Sequence, residues 1–274
     1  MKDSRGVRIG RTIGIAVFLL WTIIPVYWLV ATSLKTPLET TQNPPAWIPS
    51  GDISAYTTAL ADPRLANGLV NSALVAFGAT GISVAFGALA AYGATHLALS
   101  RMKNFEFWVL SSRMAPPVAV AIPFFLMFNV AGLRDTIVGL IVAHIVLVVG
   151  IVCWILIESF RGLSAELMEA SLVDGCGYGR AFWSVMLPLA VPGIVAAASV
   201  SFLLSWNDFF FALVLAGNKA ATAPLAIYQA FGYNDIDLGQ LAATSTLVLV
   251  PTALVIGLFQ RQLVSGLTMG AVKG

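Results

Sequence analysis

EASLVDGCGYGRAFWSVMLPLAVPGI, residues 169–194, interrupts an otherwise oily chain with Glu169, Asp174, glycines at 175, 177 and 179, Arg180, Pro188 and Pro192. The run before it, 136–157, and the run that begins inside it, 181–207, contain no Asp, Glu, Lys or Arg. About 20 apolar residues cross the hydrocarbon core of a bilayer as a helix, so each run is long enough for one crossing. The interruption is then the connection between two membrane spans, and that reading decides the fold.

Four more charge-free runs, 12–34, 65–100, 114–133 and 238–260, bring the expected number of crossings to six. The whole chain is 58% hydrophobic and only 10% charged, where soluble domains run near a quarter charged. So few charges cannot cover a water-facing surface of this size. A transmembrane β-barrel would alternate apolar and polar residues over stretches of about ten, and these runs do not alternate. The expected fold is an all-α membrane protein with six transmembrane helices, forming a single transmembrane domain over 1–274. Run 12–34 follows Arg5, Arg8 and Arg11, like a signal peptide. It is too long for the usual h-region, however, and no small-x-small cleavage site follows it at TSLKTPLE. It reads as a retained first helix.

Basic residues set the orientation, because cytoplasmic loops carry the excess of Lys and Arg. With the N-terminus inside, eleven of the fifteen fall on the cytoplasmic side, and Lys35, Arg64, Arg134 and Lys219 fall outside. Both termini are expected in the cytoplasm. The net charge of +2 is then a topology signal, and no nucleic-acid partner is expected. Cys153 falls in the fourth helix and Cys176 in a cytoplasmic loop, where a disulfide is disfavoured. Neither belongs to a pair spaced for a metal.

Polar and helix-breaking residues inside the spans are the candidates for a transport path. Pro116 and Pro117 break the third helix, and broken helices often line transport cavities; a packing kink is the plainer reading, and cavity lining is preferred. Arg113, just before them, either snorkels to the inner headgroups or faces the cavity. Asn207 and Asp208 fall about sixteen residues into the fifth helix, on the order of 24 Å along it, flanked by Trp206, Phe209 and Phe210. They either contact cargo, as polar acceptors beside aromatic faces hold sugars, or bind neighbouring backbone and form an outer gate; gate or packing is preferred. His144, mid-span, reads as a hydrogen-bonded core histidine rather than a proton carrier. Of the outer loops, 35–66 reads as an ordered irregular cap, and 216–237 either meets an external partner or is a plain solvated connection.

Within the interruption, Ser164 can cap a short helix over 165–174, with Glu166 favoured in its first turn. Gly175 and Gly177 can stop it, since glycine readily takes the left-handed conformation that follows a helix end. Leu163, Leu167, Ala170 and Ser171 share one face, and Met168 and Leu172 another. One side can rest on the bundle; the other needs a partner in the cytoplasm.

The stretch 169–194 resembles the EAA signature of ABC-importer permease subunits, with Glu169, Ala170, Asp174, Gly175, Leu187 and Pro188 matching and Ser171 and Cys176 in place of small alanines. SLKT after the first helix, NSALVA, GALAAYGATHL, SWNDFFFALVL and GLTMGAVKG extend the likeness. Together they resemble the carbohydrate-uptake, maltose-type, binding-protein-dependent subclass. That resemblance implies a permease subunit in the bacterial inner membrane that moves a sugar, glycoside or polyol inward by alternating access. It implies that the segment at about 161–190 carries a coupling helix between helices 4 and 5, seated on a cytoplasmic ATPase. It implies a second homologous permease, two ATPase subunits that bind ATP and Mg, and an extracytoplasmic solute-binding protein, all within membrane lipid, with no cofactor, metal or catalytic residue in this chain.

Two other functions fit less well. No GxxxxGK[ST] phosphate loop occurs, so energy must come from a partner unless the chain is a secondary, ion-coupled transporter. Such a transporter would carry acidic residues or histidines deep in several spans, and only His144 qualifies. An intramembrane enzyme would need clustered nucleophiles, bases or metal ligands, and two histidines without HExxH provide little material.

Overall fold

The computed structural model describes residues 5–97, 107, 109, 111, 116–230 and 237–268, and among these every regular element is helical. They form two compact units, one of residues 1–66 with 227–250 and the other of residues 67–226 with 251–274.

The first unit begins with α1 (Arg5–Thr32). It is apolar on every side, and Ile13, Phe18, Leu20, Trp21 and Ile24 all remain exposed, as expected of a helix whose surroundings are lipid. Its end is closed by polar contacts. Ser33 Oγ lies 2.7 Å from the Tyr56 hydroxyl, the Leu34 carbonyl accepts the N–H groups of Gly51 and Asp52, and the buried Lys35 ammonium sits 3.9 Å over the Trp28 ring. The 35–66 loop, expected to be irregular, contains two short helices, α2 (Pro37–Thr41) and α3 (Ser54–Ala61). Reciprocal capping starts α2: Thr36 Oγ1 accepts from Glu39 N–H, and Glu39 Oε2 accepts from Thr36 N–H at 2.9 Å and from the Ser50 hydroxyl at 2.7 Å. The Thr36 amide and the Ser50 hydroxyl hold the Glu39 carboxyl below its ordinary pKa.

The second unit is built on α4 (Pro63–His96), which begins in the first unit, α6 (Ile137–Arg161) and α10 (Val191–Trp206). At 1.5 Å per residue, the 34 residues of α4 extend about 51 Å, well past a hydrocarbon core of about 30 Å. α6 and α10 approach closely at Gly193, where any Cβ would collide with the Ser159 side chain. Below it, Tyr92, Phe160 and Phe182 form an aromatic cluster with centroids 4.9–6.3 Å apart. A second core gathers Val75, Phe128, Leu140, Phe211 and Leu215.

Pro116 and Pro117 act as expected of helix breakers, but at a helix start. Pro116 is extended and Pro117 is the first residue of α5 (Pro117–Val130), where a missing N–H costs nothing. The run 181–207 is not one straight span. Chain 178–189 passes through α8 (Tyr178–Ala181), a π-helical turn at Phe182–Met186 and α9 (Leu187–Leu189), then bends by 74° into α10. Pro188 and Pro192 have no N–H for the carbonyls four residues earlier, which weakens the ladder on both sides of Ala190. Among the described residues, four helices (α1, α4, α6 and α13, Leu238–Thr268) are long and apolar enough to cross a membrane, or five if the bent pair counts as one; α5 is a shorter apolar helix of 14 residues.

Gly193→Ala should wedge α6 from α10 and cost about 1–3 kcal/mol, seen as a lower thermal midpoint of the detergent-solubilised protein. Ser159→Gly should restore much of the loss. Gly257→Ala, where no atom lies within 4 Å of the added carbon, should not lower the midpoint.

Candidate functional site

Ser164 caps α7 (Ala165–Val173) as expected, its hydroxyl accepting from Glu166 N–H at 3.2 Å. The helix ends in a Schellman turn. Cys176 N–H donates to the Ser171 carbonyl and Gly175 N–H to the Leu172 carbonyl, both at 3.0 Å, with Gly175 in the left-handed region at φ 83°. Gly177 takes no part in the stop; with φ −74° it caps α8. The two faces are unlike. Met168 and Ser171 are buried and Leu172 packs on the same core, whereas Glu166, Leu167, Glu169, Ala170, Val173, Asp174 and Pro188 are exposed. This corrects the expected grouping: Ser171, whose hydroxyl donates to the Met168 carbonyl at 2.7 Å, and Leu163 belong to the docked side. Tyr92 is the seat, its hydroxyl donating to the Tyr178 carbonyl at 2.9 Å and lying 3.5 Å from Met168 sulfur.

The second candidate site is an open, mostly apolar cleft of about 930 Å³ lined by Asn207, Asp208, Phe209, Phe210, Thr252 and neighbouring aliphatic side chains. Asn207 and Asp208 are not inside a continuous helix as the sequence suggested; they form the break between α10 and α11 (Phe210–Leu215). Their side chains explain it, because Asn and Asp offer the backbone alternatives to the helical ladder. Asn207 Nδ2 donates to the Leu203 carbonyl at 2.8 Å and reaches Thr252 Oγ1 at 3.5 Å. Asp208 Oδ2 accepts the Phe211 N–H at 2.9 Å. Trp206 does not line the cleft; it is buried and stacked on Phe202 at 5.6 Å. Pro116 and Pro117 are exposed and away from the cleft lining, and Arg113 lies outside the described residues.

His144 is the hydrogen-bonded core histidine expected. It is fully buried, with Nδ1 2.7 Å from Ser205 Oγ and Nε2 3.5 Å from Asp208 Oδ2. Ser, His and Asp together suggest nucleophilic catalysis, but Ser205 is itself buried, closed to any substrate. Among the described residues no cluster of His, Cys, Asp or Glu could hold a metal.

A clamp that sequence reasoning missed fixes the chain beyond α11. Asp135, with φ 54°, receives three backbone N–H groups on one oxygen, from Gly217 at 2.7 Å, Ala220 at 2.9 Å and Lys219 at 3.1 Å. Burial alone raises its pKa, but those amides and the Lys219 charge outweigh it and hold the carboxyl below 3.8. Asn71 Nδ2 donates to the Lys219 and Ala221 carbonyls at 3.0 and 2.9 Å, and Ser72 Oγ accepts from Ala223 N–H. Residues 220–223 are buried and lead into α12 (Ala223–Ala230), so this part of the 216–237 loop is not a plain solvated connection. The only local signal was the polar pair opening NSALVA; partners some 150 residues away leave no trace in a single sequence.

Residues 83–268 match the family described as binding-protein-dependent transport system inner membrane component. The trehalose transport system permease protein SugB of Mycobacterium tuberculosis (strain CDC 1551 / Oshkosh) is 33% identical over 257 residues, covering 93% of each chain. A bacterial ABC transporter involved in the import of the acidic polysaccharide alginate has the same fold, with a TM-score of 0.82 at 21% identity over 95% of this chain and 99% of that one. A second structure, of the bacterial alginate ABC transporter in complex with alginate pentasaccharide-bound periplasmic protein, aligns with a TM-score of 0.63 at 16% identity over 94% and 96%. The chain therefore belongs to the binding-protein-dependent transport system inner membrane component family, as a multi-pass, non-catalytic permease subunit of an ABC importer.

Asp135→Ala leaves three amides without their acceptor and should cost about 2 kcal/mol, near the lower range for bonds to a charged group because the site is partly exposed. Hydrogen exchange over 216–223 should accelerate roughly thirtyfold, and Asp135→Asn, which tolerates the same backbone and keeps one oxygen, should lose less. Because the folded carboxyl titrates lower than the free one, the stabilisation is complete above pH 3.8 and fades as pH falls through the folded value; Asp135→Asn should remove that acid-side dependence.

Proposed function

We propose that this permease imports a sugar, glycoside or polyol by alternating access, driven through the exposed face of α7 by two ATPase subunits that bind ATP and Mg. The observation that carries the coupling reading is the asymmetry of α7. One face is tied to Tyr92, Phe160 and Phe182, while Leu167, Glu169, Ala170 and Val173 are exposed on a nine-residue helix braced at both ends. A short helix braced by a cap and a Schellman turn transmits displacement that a loop would absorb. Glu169 supplies an acceptor for a charge-assisted bond to the motor, and Ala170 leaves room for close approach. Ser171, Asp174, Gly175 and Pro188 shape the docked side and the exits.

The carbohydrate class is supported by the trehalose permease relative, and an extracytoplasmic solute-binding protein by the family description. A second homologous permease completes the path. In this reading both termini are cytoplasmic and the chain is one domain over 1–274 with six crossings; α5 with the residues before it, and the bent pair 178–206, supply the third and fifth. The cleft at Asn207, Asp208 and Phe209 is the cargo path and its gate, with Trp206 packed behind and the break at Pro116 and Pro117 loosening the third crossing. Arg113 belongs to the same path.

The complex reconstituted in proteoliposomes tests this reading through sugar uptake and ATP hydrolysis read side by side. Glu169→Ala and Gly175→Val, the latter straining a left-handed backbone by about 1–2 kcal/mol, should lower uptake at least tenfold while the membrane complex still assembles. Normal uptake in both variants would remove the coupling role.

A further inference from the structure

Among the described residues lining the cleft, Asp208 is the only ionisable one. Its side chain is 10% exposed, and its two oxygens differ. Oδ2 accepts the Phe211 N–H and faces His144 Nε2, while Oδ1 carries no hydrogen bond among the described residues. His144 lies behind it on α6, wholly buried, its ring oriented by the Nδ1 contact with Ser205 Oγ. Nε2 has no hydrogen bond of its own, and 3.5 Å away its nearest polar neighbour of opposite character is the Asp208 carboxylate. A buried polar atom left without a bond is rare enough in a native protein to require a reason. The group it faces is the Asp208 carboxylate, on the same oxygen that accepts the Phe211 N–H, in a residue that lines the cleft.

We propose that His144, oriented by Ser205, is the positioning residue for Asp208, and that the carboxylate so placed makes the cleft accept uncharged polyhydroxylated cargo and reject acidic cargo. This rests on the carbohydrate-import reading above. A carboxylate only accepts hydrogen bonds, so it pairs with cargo hydroxyls, and an O–H bonded to an ionised oxygen is about twice as strong as a neutral pair. Asn207 and Thr252 add neutral polar partners, and Phe209 and Phe210 add apolar ring faces for sugar C–H groups. An acidic cargo would bring a like charge against Asp208 in a cleft whose other walls are mostly aliphatic, where screening is weak.

The test uses the whole complex with its binding protein in proteoliposomes. Uptake of trehalose or maltose, whichever the wild type moves faster, is compared with uptake of the uronic acid made from the same sugar, each saturating. The readout is the ratio of the two kcat values. The wild type should favour the neutral sugar, and Asp208→Asn should narrow the ratio about tenfold, the lower range for losing a charge-assisted bond. His144→Ala should narrow it as much, the double variant should add nothing further, and His144→Gln, which retains an N–H donor, should keep most of the preference. If His144→Ala slows both cargoes alike and leaves the ratio at the wild-type value, His144 is merely structural and the proposal falls. Equal uptake of both probes by the wild type overturns the selectivity while carbohydrate import stands; uptake of neither overturns both.

Discussion

A backbone N–H or C=O inside a bilayer has no water to turn to, and at the α10–α11 break and in the turn beyond α11 side chains take over groups freed from the helical ladder. Asn207 satisfies the Leu203 carbonyl and Asp208 the Phe211 amide where α10 gives way to α11. Asp135 collects the amides of Gly217, Lys219 and Ala220 a few residues later. Asn71 takes the carbonyls facing the other way. Each of these irregularities is thereby paired, and two of the residues that pair them, Asn207 and Asp208, also line the cleft.

The same economy shapes the connection between α6 and α10. Its short helix is held from below by an aromatic cluster and a tyrosine hydroxyl, and from its ends by a serine and a left-handed glycine. What remains outward is a small apolar patch edged by two glutamates. The π-helical turn and the 74° bend follow directly, so α7 is joined to α10 through a stretch with a weakened hydrogen-bond ladder. π-helical turns are frequent at functional sites, and this one sits between α7 and the helix that ends at the cleft.

Local features were readable from the sequence to the degree that their causes are local. Ser164, the 165–173 helix and the Gly175 stop were legible because a cap, a propensity and a left-handed residue act within one turn. Charge-free runs revealed the long helices for the same reason. Pro188 and Pro192 signal the bend at Ala190, but the uncharged run 181–207 by itself suggests a straight rod. Asn207 and Asp208 stand out as polar residues in an apolar run, but the break they form between α10 and α11 is visible only in the structure. The roles of Ser205, Thr252, Asn71 and Asp135 depend on partners 45 to 150 residues away, and a single sequence carries no record of such meetings.

The Asp135 clamp has one further consequence. Consecutive amides converging on a point make a ready receptor for small anions, and the turn at 217–220 has that shape. Because the protein fills it with its own carboxylate, the receptor is closed to phosphate, sulfate or a lipid headgroup. A fold that exposes so much apolar surface thus keeps this anion-attracting stretch of backbone occupied from within.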